Sequence, residues 1–322
     1  MKALIAGWFS FADMGATAGD LLVRDLVCDW LREAGTAFDV AHAPPFAAGV
    51  RWDAVNPAPY SHLVFVCGPF GNGPPVNEML ERFSHCEMIG VDLTMLDPLA
   101  EWNPFSLLLE RDSDRMCRPD LAMIAPVPVT PVVGVVLIHP QPEYRERDLH
   151  QLANGTIEAV VAERTCARLR IDTRLDVENH GGLRTPGEVL ALVAKTDVVL
   201  TTRLHGLVLA LRCGVPAVAV DPVAGGAKVS RQAEALGWPW CFPADVSVER
   251  LAEAFDECLT AEARRRARAV RSRARRVLAG VHDDFVRSMS VGAERPDVEG
   301  IGMARVVSVG SKANCLHVAM EA

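Results

Sequence analysis

DVVLTTRLHGLVLALRCGVPAVAVD, residues 197–221, is the stretch on which the fold turns. A short apolar, β-branched run bounded by turn residues reads as a buried strand, and a longer run closed by glycine reads as a helix. DVVLTT is therefore a strand, LHGLVLALRCG a helix and PAVAVD a second strand, which together make one βαβ unit of a parallel sheet. Arg203 and His205 interrupt this apolar text at the point where strand becomes helix.

The same alternation extends outward in both directions. VVGVVLIH (132–139) reads as a strand, a helix follows to about residue 164, and RLRIDTRL and TPGEVLALVAK supply the next strand and helix. Downstream, AKVSRQAEALG is a helix that starts at Lys228. In the first half KALIAGWF is a strand, and AGDLLVRDLVCDWLREAG has apolar residues at 21, 22, 26, 27, 30 and 31, a helical spacing that Gly35 ends. AFDVAH, SHLVFVCG, MIGVDLT and the weaker LLLER are further strands, with NEMLERF a short helix among them.

APVPVTPVVG (125–134) carries three prolines within six positions, a composition that resists both helix and central strand. The boundary is placed there: an N-terminal Rossmann-like domain over 1–128 on the acceptor side, and a C-terminal Rossmann-like domain over 129–288 on the anion side. A long terminal helix closes the second domain, and 289–322 forms a loosely structured tail. Two parallel-sheet α/β domains facing a cleft describe the GT-B-like class shared by nucleotide-sugar glycosyltransferases and their relatives, an expectation about fold that leaves the chemistry open.

Composition narrows the function. With a net charge of −8 the chain offers no field that would gather nucleic acid or an anionic membrane, so any anion must be held locally. RRRARAVRSRARR (264–276), eight arginines in thirteen residues, is read as a solvated helix whose apolar stripe, including Val270 and Val277, packs against the domain. Nine scattered cysteines without a CxxC pair, no signal-peptide pattern and no membrane-length apolar run point to a reduced, cytoplasmic protein without a transmembrane segment. No set of residues has metal-ligand spacing, so neither metal nor cofactor is expected; oligomeric state is left open.

In an open α/β sheet the ends of the strands that lead into helices form the ligand edge. A helix start there favours an anion, and Arg203 adds a planar donor fork matched to phosphate or carboxylate. Gly206 would let a ligand approach the backbone, and His205 is the group able to move a proton near neutral pH. Equally, Arg203 could pair with an acid such as Asp221, and His205 could bond a neighbouring carbonyl. PVAGGAKVS repeats the arrangement at the next strand, bringing Lys228 to the same edge or forming an ordinary turn. In GWFSFADMGATAGD, Asp20 or Thr17 caps the first helix, or Asp13 or Asp20 accepts a proton from a substrate hydroxyl. CGPFGNGPP and His139 are either site walls or turns.

RLHGLVLALRCGVPAVAVD, with Lys228 and the downstream EALG, resembles the polysaccharide pyruvyl transferase family. The resemblance is strongest over 186–237 and fainter over Gly19–Asp20 and over Arg111, Ser113 and Pro119–Asp120. It implies a GT-B-like fold and transfer of a pyruvyl group from phosphoenolpyruvate to two hydroxyls of a sugar or glycosylated acceptor, forming a ketal and releasing phosphate. The Arg203-Leu204-His205 triplet would then bind the donor, with Arg203 on its phosphate or carboxylate and His205 protonating the enol methylene. Lys228 would neutralise the departing phosphate and Asp20 would assist the acceptor hydroxyl. Thr17-Ala18-Gly19-Asp20 stands where the family has Asn-x-Gly-Asp, and Cys67-Gly68-Pro69 replaces its glycine run, departures that bear on the acceptor. A glycosyltransferase holding a nucleotide sugar's diphosphate on the same edge, and a binding relative without chemistry, are the alternatives.

Overall fold

The computed structural model describes residues 1–291 except 47, 48, 128, 140 and 180. The chain divides into a unit spanning Met1–Val129 and a second that begins at Thr130. The tail expected from residue 289 lies, from 292 on, outside the described residues.

In the first unit β1 (Lys2–Ala6) leads through α1 (Ala18–Glu33) to β2 (Ala37–Val40), then to β3 (His62–Val66) and β4 (Pro69–Phe70). After α2 (Val76–Arg82) come β5 (Glu87–Val91), β6 (Thr94–Met95) and β7 (Leu107–Leu109). The main sheet runs β2-β1-β3-β5-β7, every pairing parallel, while β4 and β6 form a small parallel ribbon. α1 begins where Thr17 and Asp20 cap one another, and Gly35 at φ +64° lies just past its end.

The second unit runs β8 (Val132–Val136), α3 (His150–Ala162), β9 (Ala167–Arg170), α4 (Pro186–Val193) and β10 (Val198–Thr201). It continues through α5 (Leu204–Cys213), β11 (Ala217–Asp221), α6 (Lys228–Leu236) and β12 (Cys241–Pro243). Its sheet is β12-β11-β10-β8-β9, again parallel throughout, with Thr201 level with Val136 on one side and Ala219 on the other. β10 and β11 are buried along their whole length, as strands covered on both faces must be. Gly214 at φ +75° ends α5, a left-handed conformation that a side chain at that position would strain.

Counted within its own sheet, each unit has strand order 2-1-3-4-5. The chain leaves its first strand to one side and then returns to the other, so a crevice opens beyond the carboxyl ends of the first and third strands. In the first unit that crevice lies between β1 and β3, and in the second between β8 and β10.

The single long terminal helix expected from about 247 is instead three: α7 (Val248–Cys258), α8 (Ala261–Val277) and α9 (Val281–Val291). Thr260 restarts the chain as the cap of α8, accepting from the Ala263 N–H at 3.2 Å. α8 packs on α5 through Ala263, Ala267 and Val270, but Val277, expected in the same stripe, is exposed. Three of its arginines have partners within the same unit: Arg264 on Asp197, Arg265 on Glu262, and Arg266 over the Trp240 ring. Among the described residues no helix is long and apolar enough to cross a membrane.

Candidate functional site

At the crevice of the second unit, threonine hydroxyls join the strand ends. Thr201 Oγ1 donates to the Val136 carbonyl at 2.8 Å, closing β10 onto β8, and accepts from the Arg203 N–H at 2.9 Å. Thr202 Oγ1 accepts from Ile138 N–H at 2.9 Å and donates to Asn154 Oδ1 at 2.8 Å, while Asn154 Nδ2 reaches the Ile138 carbonyl at 2.9 Å. These bonds use the polar backbone of the crevice floor and hold the first turn of α5 in place.

Arg203 is the residue before α5, and its side chain is only 14% exposed. Its Nη1 donates to Asp172 Oδ1 at 2.7 Å and to Thr173 Oγ1 at 3.0 Å. The acid partner is thus Asp172, just past β9, and not Asp221. Asp221 is fully buried and accepts from Ala227 N–H and from the Ser230 N–H and hydroxyl, at 2.7 to 2.8 Å, shaping the glycine turn into α6. Asp172 Oδ2 also stands 3.8 Å from His139 Nε2, so one carboxylate at the end of β9 serves the ends of both β8 and β10.

His205 lies exposed on the first turn of α5 and makes no hydrogen bond or ion pair with any described residue. Lys228 opens α6, as expected from the turn, and its Nζ donates to Gln141 Oε1 at 2.9 Å and stands 5.9 Å from the Tyr144 ring centre. Arg203, Leu204, His205 and Lys228 line one recess of about 260 Å³, together with Gln141 and Thr173. Gly206 departs from expectation. It is buried, and a Cβ there would come within 2.0 Å of Thr201 Oγ1, so its small size lets α5 pack on β10 rather than admitting a ligand.

In the first unit Asp20 Oδ2 accepts from the Thr17 N–H at 2.6 Å and hydroxyl at 2.9 Å, completing the helix cap. Asp13 is exposed, with φ +61°. A cavity of about 450 Å³ here is larger than the recess beside Arg203, but its walls are mainly apolar, including Phe11, Met14, Pro44, Trp52 and Pro74. Size alone does not select a site; the convergence of charged and proton-carrying groups does.

The Arg111, Ser113 and Asp120 positions form a network of their own. Arg111 Nη1 donates to Asp120 Oδ2 at 2.8 Å and Nε to Asp112 Oδ2 at 3.2 Å, and Ser113 Oγ donates to Glu110 Oε1 at 3.3 Å. Asp92, fully buried, accepts from the Leu121 N–H at 3.1 Å and from the Cys67 thiol at 3.7 Å. Burial, with the neighbouring Asp120 charge, pushes the Asp92 carboxyl above the ordinary carboxylate range. Burial acts the same way on Asp120, but the Ala122 N–H and the Arg111 guanidinium outweigh it and hold Asp120 below that range. Burial, then the Asp92 charge, raises the Cys67 thiol.

The sequence reading missed Asp172, Thr173, Gln141, Thr202 and Asn154. Asp172 was within the expected strand RLRIDTRL, but only the strand order puts its end beside β8.

Residues 135–222 match the model of the polysaccharide pyruvyl transferase family. That span takes in His139, Asp172, Arg203, His205 and the crevice between β8 and β10; Lys228 and the first unit lie outside it. No protein of curated function matches the chain. Among solved structures it is similar to the spinosyn forosaminyltransferase SpnP, at 13% identity over 90% of this chain and 99% of that one, with a TM-score of 0.36. It is similar also to the spinosyn rhamnosyltransferase SpnG complexed with thymidine diphosphate, at 13% identity over 84% of this chain and 95% of that one, TM-score 0.31. The Acinetobacter baumannii MurG matches at 9% identity over 84% and 95%, TM-score 0.32. The fold class rests on the strand orders above, not on these scores. Over the segment that builds the recess, the resemblance to the polysaccharide pyruvyl transferases holds, and theirs is a family of transferases.

Proposed function

We propose that this chain is a pyruvyl transferase that moves the pyruvyl group of phosphoenolpyruvate onto two hydroxyls of a sugar or glycosylated acceptor. The observation that carries the reading is an exposed His205, without a partner among the described residues, beside the anchored guanidinium of Arg203, within the matched segment. Asp172 and Thr173 fix the Arg203 fork, leaving its other N–H groups to bind the donor's carboxylate or phosphate. The protonated imidazole of His205 gives its proton to the enol methylene, which becomes a methyl group and leaves an oxocarbenium-like centre at the adjacent carbon. One acceptor hydroxyl attacks that carbon, the phosphate departs with its bonding electron pair, and the second hydroxyl closes the ketal. The two hydroxyl protons are accounted for: one returns to His205 and the other leaves on phosphate.

Lys228, which lines the same recess, would offset charge on the departing phosphate. Asp20 of the first unit spends Oδ2 on its helix cap, and Oδ1 makes no hydrogen bond among the described residues. The eight described cysteines are all free, which suits a reduced, cytoplasmic setting.

Phosphate release from phosphoenolpyruvate in the presence of candidate sugar acceptors tests the reading, with a ketal product identified by mass. Unchanged turnover in His205→Ala would remove its basis. Binding of a nucleotide sugar with none of phosphoenolpyruvate, by calorimetric titration, would transfer the site to glycosyl transfer.

A further inference from the structure

The positive charge around Lys228 is distributed unevenly. The recess beside Arg203 holds two guanidiniums, both already matched by acids: Arg203 by Asp172, and Arg174 by Asp176 and Glu178. A second recess of about 480 Å³ adjoins it and shares Leu204 and Lys228. Its basic residues are Arg147, Lys228 and Arg231, and none of the three has a carboxylate partner among the described residues. Arg147 is turned toward two carbonyls, of Ala224 at 2.9 Å and Gly226 at 3.0 Å, and Lys228 toward the neutral Gln141 amide. No acidic side chain lines either recess among the described residues, in a chain whose net charge is −8.

We infer that this adjoining recess is the phosphate seat, with Arg147, Arg231 and Lys228 as its binding residues, and that Arg203 holds the carboxylate of the same ligand. A dianionic phosphate gains most where positive charge is uncompensated, whereas a planar carboxylate suits a guanidinium fork already fixed by a neighbour. The helix start alone does not make the seat, because Asp221 has taken the Ala227 and Ser230 N–H groups. The cationic side chains must supply it. In phosphoenolpyruvate the carboxylate and the phosphoryl oxygen hang from one carbon, so their seats must share a wall, as these do through Leu204 and Lys228. The inference rests on the pyruvyl-transferase reading for the identity of the ligand, but not for the binding of phosphate.

The test uses inorganic phosphate as its probe, titrated against the full chain by ³¹P line broadening. Arg231 is exposed and its side chain makes no hydrogen bond or ion pair among the described residues, so Arg231→Ala should fold normally, which a thermal melt verifies. Loss of a charge-assisted contact should weaken phosphate binding about tenfold in Arg231→Ala, with Arg203→Ala within about twofold of the parent chain. The reverse pattern, or no phosphate binding by the parent chain, overturns the seat. Phosphate that binds in the expected pattern while phosphoenolpyruvate does not bind keeps the seat and discards the pyruvyl-transferase reading.

Discussion

The two sheets share one strand order, yet their crevices are finished in opposite ways. In the first unit Trp8, two residues beyond β1, reaches the turn after β3: its Nε1 donates to the Pro69 carbonyl at 2.9 Å. Gly68 at φ +78° is what admits the ring, since a Cβ there would lie 2.3 Å from Trp8 Cδ1. In the second unit the equivalent strand ends are joined by the Thr201 and Thr202 hydroxyls, and Arg203 and His139 converge on Asp172. The comparison teaches that topology provides the crevice, while the two or three residues after each strand decide whether it is stoppered by an indole or left polar.

The largest effect should come from removing the exposed histidine of the Arg203 recess, which has no partner among the described residues. His205→Ala is expected to lower phosphoenolpyruvate-dependent phosphate release by about a hundredfold to ten-thousandfold, with donor affinity little changed, as steady-state kinetics beside a titration will reveal. An equal loss of affinity and turnover would make His205 a binding group instead.

Trp8→Ala attacks the comparison from the other side. Unstoppering the first crevice should cost about 2 kcal/mol, less than a full core deletion because Trp8 is only half-buried, without creating an anion site. Denaturant melts give the cost, and a phosphate titration of the variant at parental affinity is the expected companion result. Gly206→Ala should cost a similar amount, about 1–3 kcal/mol, through the clash with Thr201 and the shift of α5. A variant as stable as the parent would return Gly206 to the role of backbone access.

The smallest effect depends on pH. The Asp92 carboxyl is raised in the folded state, so its contribution to stability is full below the ordinary carboxylate pKa and is lost as pH rises toward the raised value. Asp120, lowered, contributes in the opposite sense, adding stability above the ordinary value that disappears as pH falls through the folded one. Asp92→Asn should therefore gain stability relative to the parent chain as pH rises above about 4, with a nearly flat difference below it. Denaturation midpoints across pH 4 to 8 measure this, and a constant offset would show that Asp92 is not protonated by its surroundings.

Much of the scaffold was legible because it is written in near neighbours. Hydrophobic periodicity and the glycine at 214 identified β10, α5 and β11, and placed Arg203 and His205 at the junction of strand and helix. The break between α7 and α8 is hard to read because Leu259 and Thr260 stand between two runs of helix-forming residues, and the capping bond of Thr260 marks the restart. Asp20 carried two readings, helix cap and proton acceptor, and the cap is occupied.

What the amino-acid order determined by itself was the alternation of strands and helices, the sites where helices start and stop, and the polar pair at one strand's end. These depend on residues within a few positions of one another. Tertiary structure alone decided that Arg203 pairs with Asp172, that Asn154 braces Thr202, that Gly206 is a packing contact and that Trp8 stoppers the other crevice. Apart from the Gly206 contact with the adjoining strand, these join groups from elements distant in the chain, and which elements are neighbours follows from how the crossovers thread the sheet, a property no local window contains.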